Sequence, residues 1–268
     1  MAIHASAQIH PSAVIEEGAV IGANCQIGPF CLVGPEVTLG EGVVMKSHAI
    51  ITGWTDIGDE CELYPFTNIG DIPQDKKFGG ERTRLIVGKR NRIREGVTMN
   101  TGTEGGGGLT TVGDDGLFLA NSHVAHDCQV GDRVIMVNSS ALAGHCIVGD
   151  DVIIGGLSGV HQFVRLGRGA IIGAVTMVTN DVIPYGLVQA PRGRLDGLNL
   201  VGLKRRGVAK SDITALRAAL QALKQGEGAS FQDRARRLGE SDDIDSDYVR
   251  EIVAFVLGDS DRSYLTPE

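Results

Sequence analysis

The sequence predicts an all-β parallel β-helix built on six-residue repeats, followed by a small α-helical domain. An aliphatic residue recurs at every sixth position from Ile3 onward, and the residue four positions later is small. Helical spacing of apolar residues begins only after Pro184. Internal repeats of this kind indicate a solenoid, in which each repeat buries its apolar face against its neighbours.

The aliphatic anchors fall into three runs, from Ile3 to Ile69, from Val87 to Met99 and from Val112 to Val178. Six residues supply one short strand and one corner, so three repeats close a triangular coil of eighteen residues. Coils stack at the strand spacing of about 4.8 Å, which predicts about nine coils and a prism roughly 43 Å long. Each strand then pairs above and below, and only the two ends of the prism are open edges.

The small inward positions explain the cysteines, which otherwise suggest a metal or redox site. All five occupy this position: Cys25, Cys31, Cys61, Cys128 and Cys146. Free cysteine is usually buried and inert, so we expect structural thiols. Five is an odd number without paired spacing, which favours a reducing compartment.

Two interruptions of the repeat predict external loops at about 71–84 and 100–111. The domain prediction is therefore a β-helix over residues 1–186 and a helical domain over 187–268. In the second domain, apolar spacing predicts one helix from Ser211, as N-cap, to Gln225, with Gly226 as its stop, and another from Asp247 to Leu257.

Composition excludes several classes of protein. The net charge of −8 argues against general nucleic-acid binding. No segment reaches ~18 consecutive apolar residues, so we expect no membrane span. The N-terminal residues lack the apolar stretch of a signal peptide. Together with the cysteine usage, these features predict a cytoplasmic protein.

The histidines are the candidates for chemistry. His126, His145 and His161 are separated by nearly one coil each, so they should lie along one edge of the prism, with His123 close by. Asp127 directly follows His126, and a carboxylate beside a histidine fixes its tautomer and raises its basicity. Ser122 belongs to the small inward series, so we expect it to be structural rather than a nucleophile.

Two further patterns point to partners. Basic residues cluster at Lys89–Arg94 and at Lys204–Arg206, where an acidic partner or a phosphate would meet this acidic protein. Leu117, Ile135, Ile153 and Ile171 are eighteen residues apart just before their anchors. They form an outward apolar ladder, which is typical of a subunit interface.

Several segments occur together and in order, and they carry a resemblance that covers essentially the whole chain. They are Gln74–Lys77 (QDKK), Asn121–Cys128 (NSHVAHDC), Leu142–Cys146 (LAGHC), Val160–Phe163 (VHQF) and Gly202–Gly207 (GLKRRG). The set resembles the UDP-N-acetylglucosamine O-acyltransferases of lipid A biosynthesis. The resemblance also implies the left-handed form of the β-helix, although parallel crossovers in general favour the right hand.

The resemblance implies a homotrimer that transfers an (R)-3-hydroxyacyl group from acyl carrier protein to the 3-hydroxyl of UDP-N-acetylglucosamine, with no cofactor and no metal. It implies His126 as general base, Asp127 as its orienting partner and the backbone N–H of Gly144 as donor to the thioester oxyanion. It implies substrate contacts by Gln74, Asp75, Lys77, His123, His145, His161, Gln162, Ala174, Asn199, Arg205 and Arg206.

Three positions depart from the family pattern. Val201 stands where many members have Glu, and Arg192 replaces a His expected in some members; both put contacts to the nucleotide in doubt. Ala174 stands where several members have Gly along the acyl groove, which bears on the preferred acyl chain length.

Three alternatives remain open. A related hexapeptide-repeat N-acyltransferase would act on a UDP-amino sugar, but it usually carries an N-terminal nucleotide-binding domain, and here the repeat begins at Ile3. A β-helix metalloenzyme of the carbonic anhydrase kind could use His126 and His145 as ligands. A purely structural solenoid would not need the ordered histidines or the two loops.

Overall fold

The protein is described by a computed structural model covering residues 2–190, 193–225, 229–241 and 246–267. Short parallel strands wind into a triangular prism with three faces, each a sheet whose strands come from successive coils. One strand lies at each of the predicted anchors, because an aliphatic side chain every six residues fills the interior once per strand.

Face 1 contains nine strands among the described residues: Ala2–Ile3, Val20–Ile21, Val37–Leu39, Trp54–Ile57, Arg84–Val87, Leu109–Val112, Gln129–Val130, Ile147–Val148 and Arg165–Leu166. Face 2 has eleven in the same described ranges: Gln8–Ile9, Gln26–Ile27, Val44–Met45, Glu62–Leu63, Arg92–Ile93, Leu117–Phe118, Ile135–Met136, Ile153–Ile154, Ile171–Ile172, Gly186–Gln189 and Arg194–Leu198. The last of these runs antiparallel to its neighbour and closes the sheet.

Face 3 again has nine strands within the described part of the chain: Val14–Ile15, Leu32–Val33, Ile50–Ile51, Asn68–Asp71, Thr98–Asn100, His123–Val124, Ala141–Leu142, Gly159–Val160 and Met177–Val178. We name the three edges of the prism corner 1–2, corner 2–3 and corner 3–1, after the faces that each corner joins. Both predicted loops leave the prism at corner 3–1, because each follows a strand of face 3 and precedes a strand of face 1. The strands that end at Asp71 and begin at Arg84 and Leu109 extend into the ends of the predicted loop ranges.

The interior is a continuous core of aliphatic and small side chains. The five cysteines are buried in it, as predicted, and their thiols donate hydrogen bonds to backbone carbonyls, as Cys31 does to Lys46 at 2.8 Å. Corner residues eighteen apart share a left-handed backbone, for example Asp127 and His145 at φ 59° and 63°. Stacking of coils therefore repeats both side-chain position and backbone conformation along each corner.

The C-terminal part contains four helices among its described residues: α1 (Leu200–Arg205), α2 (Lys210–Lys224), α3 (Phe231–Gly239) and α4 (Asp247–Leu257). Their apolar faces form a second core around Leu216, Ala235 and Ile252. None of the helices in the described ranges combines the length and apolar composition needed to cross a bilayer. The division into a β-helix and a helical domain at residue 187 remains a prediction. Tyr185, before this boundary, and Leu195, after it, both belong to the second core.

The helices differ from the predicted ones at one end of α2. The predicted N-cap Ser211 is wrong: α2 begins at Lys210, with Ala209 at the N-cap position and no side-chain capping bond. Gly207, at φ 73°, closes the turn that ends α1, and α2 begins three residues later. Helix α4 has the predicted bounds, Asp247 and Leu257. The proposed stop Gly226, with Pro191 and Arg192, lies outside the described residues.

Candidate functional site

The candidate site lies at corner 3–1, where the two loops leave the β-helix. His126 and Asp127 form the corner between the strand His123–Val124 of face 3 and the strand Gln129–Val130 of face 1. One coil later the same corner positions are Gly144 and His145, and one coil further they are Gln162 and Phe163. The eighteen-residue period thus stacks the predicted residues along one edge.

His126 and Asp127 form a buried hydrogen-bonded pair. The His126 Nδ1 atom lies 2.8 Å from the Asp127 Oδ2 atom, and the two side chains are 6% and 1% exposed. An ionised carboxylate only accepts hydrogen bonds, so the Nδ1 atom carries the proton in this contact. The Nε2 atom of His126 is then left with a free lone pair, which is the arrangement a general base requires.

Asp127 is held in place by the second loop. Its Oδ1 atom accepts from the Thr103 backbone N–H at 2.8 Å, and its Oδ2 atom accepts from the Thr103 hydroxyl at 2.6 Å. Its own backbone N–H donates to the Thr110 hydroxyl at 2.8 Å. The two Thr103 donors satisfy a carboxylate that would otherwise be costly to bury.

The glycines of the second loop make this contact possible. A Cβ atom on Gly106 would lie 2.1 Å from the Asp127 Cγ atom, and one on Gly102 would lie 2.8 Å from the Asp127 Oδ1 atom. Only residues without a side chain let the backbone approach the carboxylate this closely. The glycine-rich loop therefore has a definite structural role beside Asp127.

Gly144 lies against the ring of His126. A Cβ atom built on Gly144 would be 2.4 Å from the Cε1 atom and 2.6 Å from the Nε2 atom of His126. Within the described part of the chain, the backbone N–H of Gly144 has no hydrogen-bond acceptor. A free N–H next to a candidate base is the geometry expected of an oxyanion donor.

His145 stands beside His126 on the next coil. The two rings meet edge to face with centroids 5.0 Å apart, and the His145 Nε2 atom is 3.8 Å from the Asp127 Oδ2 atom. On its other side, His145 stacks on Phe163 at 4.4 Å. Burial lowers the pKa of His145 despite the nearby Asp127 carboxylate, which favours the neutral form of the ring.

The first loop adds polar residues to the same corner. Asp75, Lys77, Thr103, His145 and Phe163 line a cavity of about 420 Å³, together with Phe78, Glu81, Glu104 and Gly105. The Asp75 carboxylate accepts from the Lys77 backbone N–H at 3.0 Å, which closes a tight turn. Gln74 is exposed next to this turn. The cavity thus joins one lysine and three carboxylates, those of Asp75, Glu81 and Glu104, to His145.

His123 lies on face 3 at the edge of the site. Its Nδ1 atom is 2.7 Å from the Thr98 hydroxyl, and the ring is half-buried. Burial, with a smaller contribution from His126, lowers the pKa of His123. We therefore expect this ring to act as a neutral hydrogen-bonding group.

His161 and Gln162 lie one coil beyond Gly144 and are both exposed. The C-terminal segment reaches them through Arg262, whose Nη2 atom is 2.9 Å from the His161 Nδ1 atom. The Arg262 Nε–H also donates to the Gln162 backbone carbonyl at 3.0 Å. Two parts of the chain about a hundred residues apart therefore meet at this end of the site.

The remaining predicted residues lie at other corners of the same chain. Arg206 packs against Gly169 at corner 1–2: a Cβ atom built on Gly169 would lie only 2.7 Å from the Arg206 Nη2 atom. Asn199 is buried there and caps α1, accepting from Gly202 N–H at 2.9 Å and donating to the Gly169 carbonyl at 3.0 Å. Arg205 is exposed at the end of α1. Ala174 lies at corner 2–3.

Three side chains of the site have atoms of the kind that ligate metal ions. His126, Asp127 and His145 offer nitrogen and oxygen atoms that all lie within 4.8 Å of one another. However, both carboxylate oxygens of Asp127 already accept bonds from Thr103, and Oδ2 also accepts from His126. A metal ion would have to displace these bonds, so the network suits proton transfer better than ligation.

Sequence reasoning missed three residues of this corner: Thr103, Phe163 and Arg262. Phe163 follows His145 by one coil, so the eighteen-residue period could have found it. Thr103 lies in a loop without a repeat, and Arg262 approaches from the C-terminal segment after α4. No periodic signal marks either of these two residues.

The family comparisons agree with these features. The model described as "Udp N-acetylglucosamine O-acyltransferase; Domain 2" matches residues 181–265, and the bacterial transferase hexapeptide model matches residues 2–35 and 18–53. The chain is 64% identical over 205 residues to the acyl-[acyl-carrier-protein]–UDP-N-acetylglucosamine O-acyltransferase of Paracoccus denitrificans, covering 76% of this chain and 77% of that one. It is 52% identical over 227 residues to the enzyme so named in Caulobacter vibrioides, covering 85% and 86%.

Solved structures are similar over nearly the full length. The UDP-N-acetylglucosamine acyltransferase from Campylobacter jejuni superposes with a TM-score of 0.91 at 36% identity, covering 97% of this chain and 100% of that one. The Arabidopsis UDP-N-acetylglucosamine acyltransferase gives a TM-score of 0.83 at 31% identity, covering 96% and 99%. The predicted fold class, a left-handed parallel β-helix with a C-terminal helical region, is confirmed.

Proposed function

The chain belongs to the UDP-N-acetylglucosamine O-acyltransferase family, and we propose on this premise that the His126 corner transfers an (R)-3-hydroxyacyl group to the 3-hydroxyl of the sugar. At the coarser level, the protein is an acyltransferase that moves an acyl group from acyl carrier protein to UDP-N-acetylglucosamine, the first step of lipid A biosynthesis. The observation that carries the finer proposal is the buried His126–Asp127 pair with its free Nε2 lone pair.

The proposed reaction is a direct transfer without an acyl-enzyme intermediate. The Nε2 atom of His126 takes the proton of the sugar hydroxyl, and the hydroxyl oxygen forms a bond to the thioester carbonyl carbon. The N–H of Gly144 stabilises the negative charge that develops on the carbonyl oxygen. The carbon–sulfur bond then breaks, and the proton held by His126 passes to the leaving thiolate of the carrier.

Product analysis tests the reaction. The purified protein is incubated with UDP-N-acetylglucosamine and a panel of (R)-3-hydroxyacyl carrier-protein thioesters, and the sugar nucleotide is examined by mass spectrometry. We expect the mass to increase by one acyl group, with an ester at the 3-hydroxyl. Faster acylation of an acceptor with an amino group at that position would favour the related N-acyltransferase reaction instead. Ala174 stays a prediction as the residue that sets the preferred chain length, measured by donor competition with Ala174→Gly.

The position of the residues that are predicted to bind the nucleotide supports a site shared between subunits. Within one chain, Arg206 and Asn199 at corner 1–2 are separated from His126 at corner 3–1 by the whole of face 1. We therefore propose that the diphosphate end is bound by Arg205 and Arg206 of a neighbouring subunit, since guanidinium groups suit phosphates. Both polar groups of Asn199 already bond within its own chain, so a contact from it to the nucleotide requires a rearrangement.

The apolar ladder supplies the surface for that neighbour. Leu117, Ile135, Ile153 and Ile171 are direct register partners on face 2, and Leu187 continues the column. Each is half-buried in the isolated chain. We propose a cyclic homotrimer in which this face packs against a different face of the next subunit, because cyclic trimers use two unlike surfaces.

A lysine in the ladder should break the assembly. We expect Ile153→Lys to convert the trimer to monomers, because an unpaired ammonium group would be buried at the interface. Sedimentation equilibrium at micromolar concentration measures the change, and activity should fall with the trimer. Leu257→Lys places the same charge at an exposed position on α4, which is not part of any prism face, and serves as the control. A wild-type protein that is a stable monomer would contradict the proposal.

Docking of acyl carrier protein needs a basic surface, since the carrier is an acidic protein. The Lys89–Arg94 cluster is largely neutralised: Lys89 pairs with Asp59 at 2.8 Å, Arg90 with Asp115 at 2.7 Å and Arg94 with Glu95 at 3.0 Å. By contrast, Lys210, Arg217 and Lys224 of α2 are exposed at seven-residue spacing, and they form no ion pair within the described part of the chain. We propose that the carrier docks on this stripe of α2.

Charge reversal separates the two surfaces. The variant Lys210→Glu/Arg217→Glu/Lys224→Glu should raise the apparent KM for the carrier-bound donor several-fold and weaken its dependence on salt. The KM for UDP-N-acetylglucosamine should stay unchanged. The matched variant reverses Lys89 and Arg92 instead. A larger effect from that second variant would place the docking surface on the β-helix.

A further inference from the structure

The C-terminal segment after α4 is fixed to the end of the β-helix beside the candidate site. Asp181 is fully buried, and its Oδ2 atom accepts from the Ser260 hydroxyl at 2.6 Å and from the Arg165 Nε–H at 2.6 Å. The backbone adds two bonds, from Asp181 N–H to the Ser263 carbonyl and from Leu265 N–H to the Asp181 carbonyl, both 2.8 Å long. The segment is therefore ordered by a buried anchor.

This anchor places Arg262 against the candidate site. The backbone N–H of Arg262 donates to the Ser260 hydroxyl at 3.1 Å, so this bond fixes the main chain of Arg262. Its guanidinium reaches both the Gln162 carbonyl, at 3.0 Å, and the Nδ1 atom of His161, at 2.9 Å. A side chain with two fixed acceptors has little freedom to move away.

The contact dictates the tautomer of His161. The Nδ1 atom also lies 3.3 Å from the Gln162 carbonyl, to which only a protonated Nδ1 atom could donate, but the Arg262 Nη2 atom is closer, at 2.9 Å. A guanidinium group has five N–H donors and no acceptor, so this shorter contact requires the Nδ1 atom to present a lone pair. The ring proton of neutral His161 then resides on the Nε2 atom. The Nε2 atom has no hydrogen-bond partner within the described residues, and the ring is exposed at the site corner. His161 is thus prepared as a donor toward a ligand.

We infer that Arg262 is a positioning residue that holds His161 as an Nε2–H donor to an oxygen acceptor of the substrate. The inference about Arg262 rests on the proposed function in one respect, namely that His161 lies at the substrate. Carbonyl, hydroxyl and phosphate oxygens are the acceptors that the acyl donor and the sugar nucleotide offer to such a group. The C-terminal segment, which is distant in sequence from the histidine motifs, is then part of the site.

The spectroscopic test does not depend on activity. The ¹⁵N–¹H correlation spectrum of the full-length enzyme at pH 8 reports which ring nitrogen of His161 carries the proton, with His161→Gln used for assignment. We expect the Nε2–H form alone in the wild type and a mixture of tautomers in Arg262→Ala. The control Ser263→Ala alters the same segment without removing the guanidinium, and it should keep the wild-type signal.

Kinetics supply the second readout. Arg262→Ala should raise the KM of one substrate by about tenfold, the scale of one lost hydrogen bond, with a smaller change in kcat. Arg262→Lys should restore part of this loss, because lysine also donates without accepting. An unchanged His161 tautomer in Arg262→Ala, or a protonated Nδ1 atom in the wild type, would overturn the inference. Normal kinetics of His161→Gln with the expected spectra would overturn only the placement of His161 at the substrate.

Discussion

His126→Ala is expected to lower kcat by about 10²-fold or more, the range usual for loss of a general base. The alanine variant keeps Asp127 and its bonds to Thr103, so the corner should remain folded. The sugar hydroxyl, however, loses the His126 Nε2 lone pair, which the hydrogen bond from Nδ1 to Asp127 orients. Steady-state turnover with saturating substrates measures the loss.

Two comparisons make the result specific. His10→Ala removes an exposed histidine far from corner 3–1 and should retain full activity. Asp127→Asn should also reduce kcat strongly, because an amide group oriented to donate to the Nδ1 atom would leave the proton on the Nε2 atom. Near-normal turnover by His126→Ala would show that another group takes the proton.

Gly144→Ala is expected to reduce kcat to a comparable extent without changing any polar group. The added Cβ atom would lie within 2.4–3.0 Å of three ring atoms of His126, which is closer than real Cβ atoms approach. The His126 ring must therefore move, and a displacement of about 1 Å at a reacting group can cost about 10²-fold in rate. Gly144 is not in the left-handed region, so its backbone accepts alanine without strain.

A matched glycine isolates this steric cause. Gly197→Ala adds a Cβ atom that meets nothing within 4 Å, so its activity should equal that of the wild type. A crystal structure of Gly144→Ala should show His126 rotated away from Gly144 with the Asp127–Thr103 bonds intact. A variant with normal kcat and an unmoved His126 ring would mean that neighbouring coils absorb the added methyl group.

The sequence by itself determined the features that repeat. Every anchor from Ile3 to Val178 lies in a strand, and the eighteen-residue period correctly aligned Leu117 with Ile135 on face 2. It also brought His126 and His145 to one corner, where their ring centroids are 5.0 Å apart. These predictions succeed because a solenoid converts spacing along the chain directly into position along the prism.

Only the tertiary structure decided the contacts that cross between non-repeating segments. Thr103 reaches Asp127 from a loop whose path is set by close approach of Gly106, and Arg262 reaches His161 across 101 residues from the C-terminal segment. The ion pairs of Lys89 and Arg90 likewise depend on which carboxylates stack beside them at corner 1–2. Such contacts follow from loop closure and from packing of the C-terminal segment on the β-helix, and neither has a period in the sequence for a pattern to reveal.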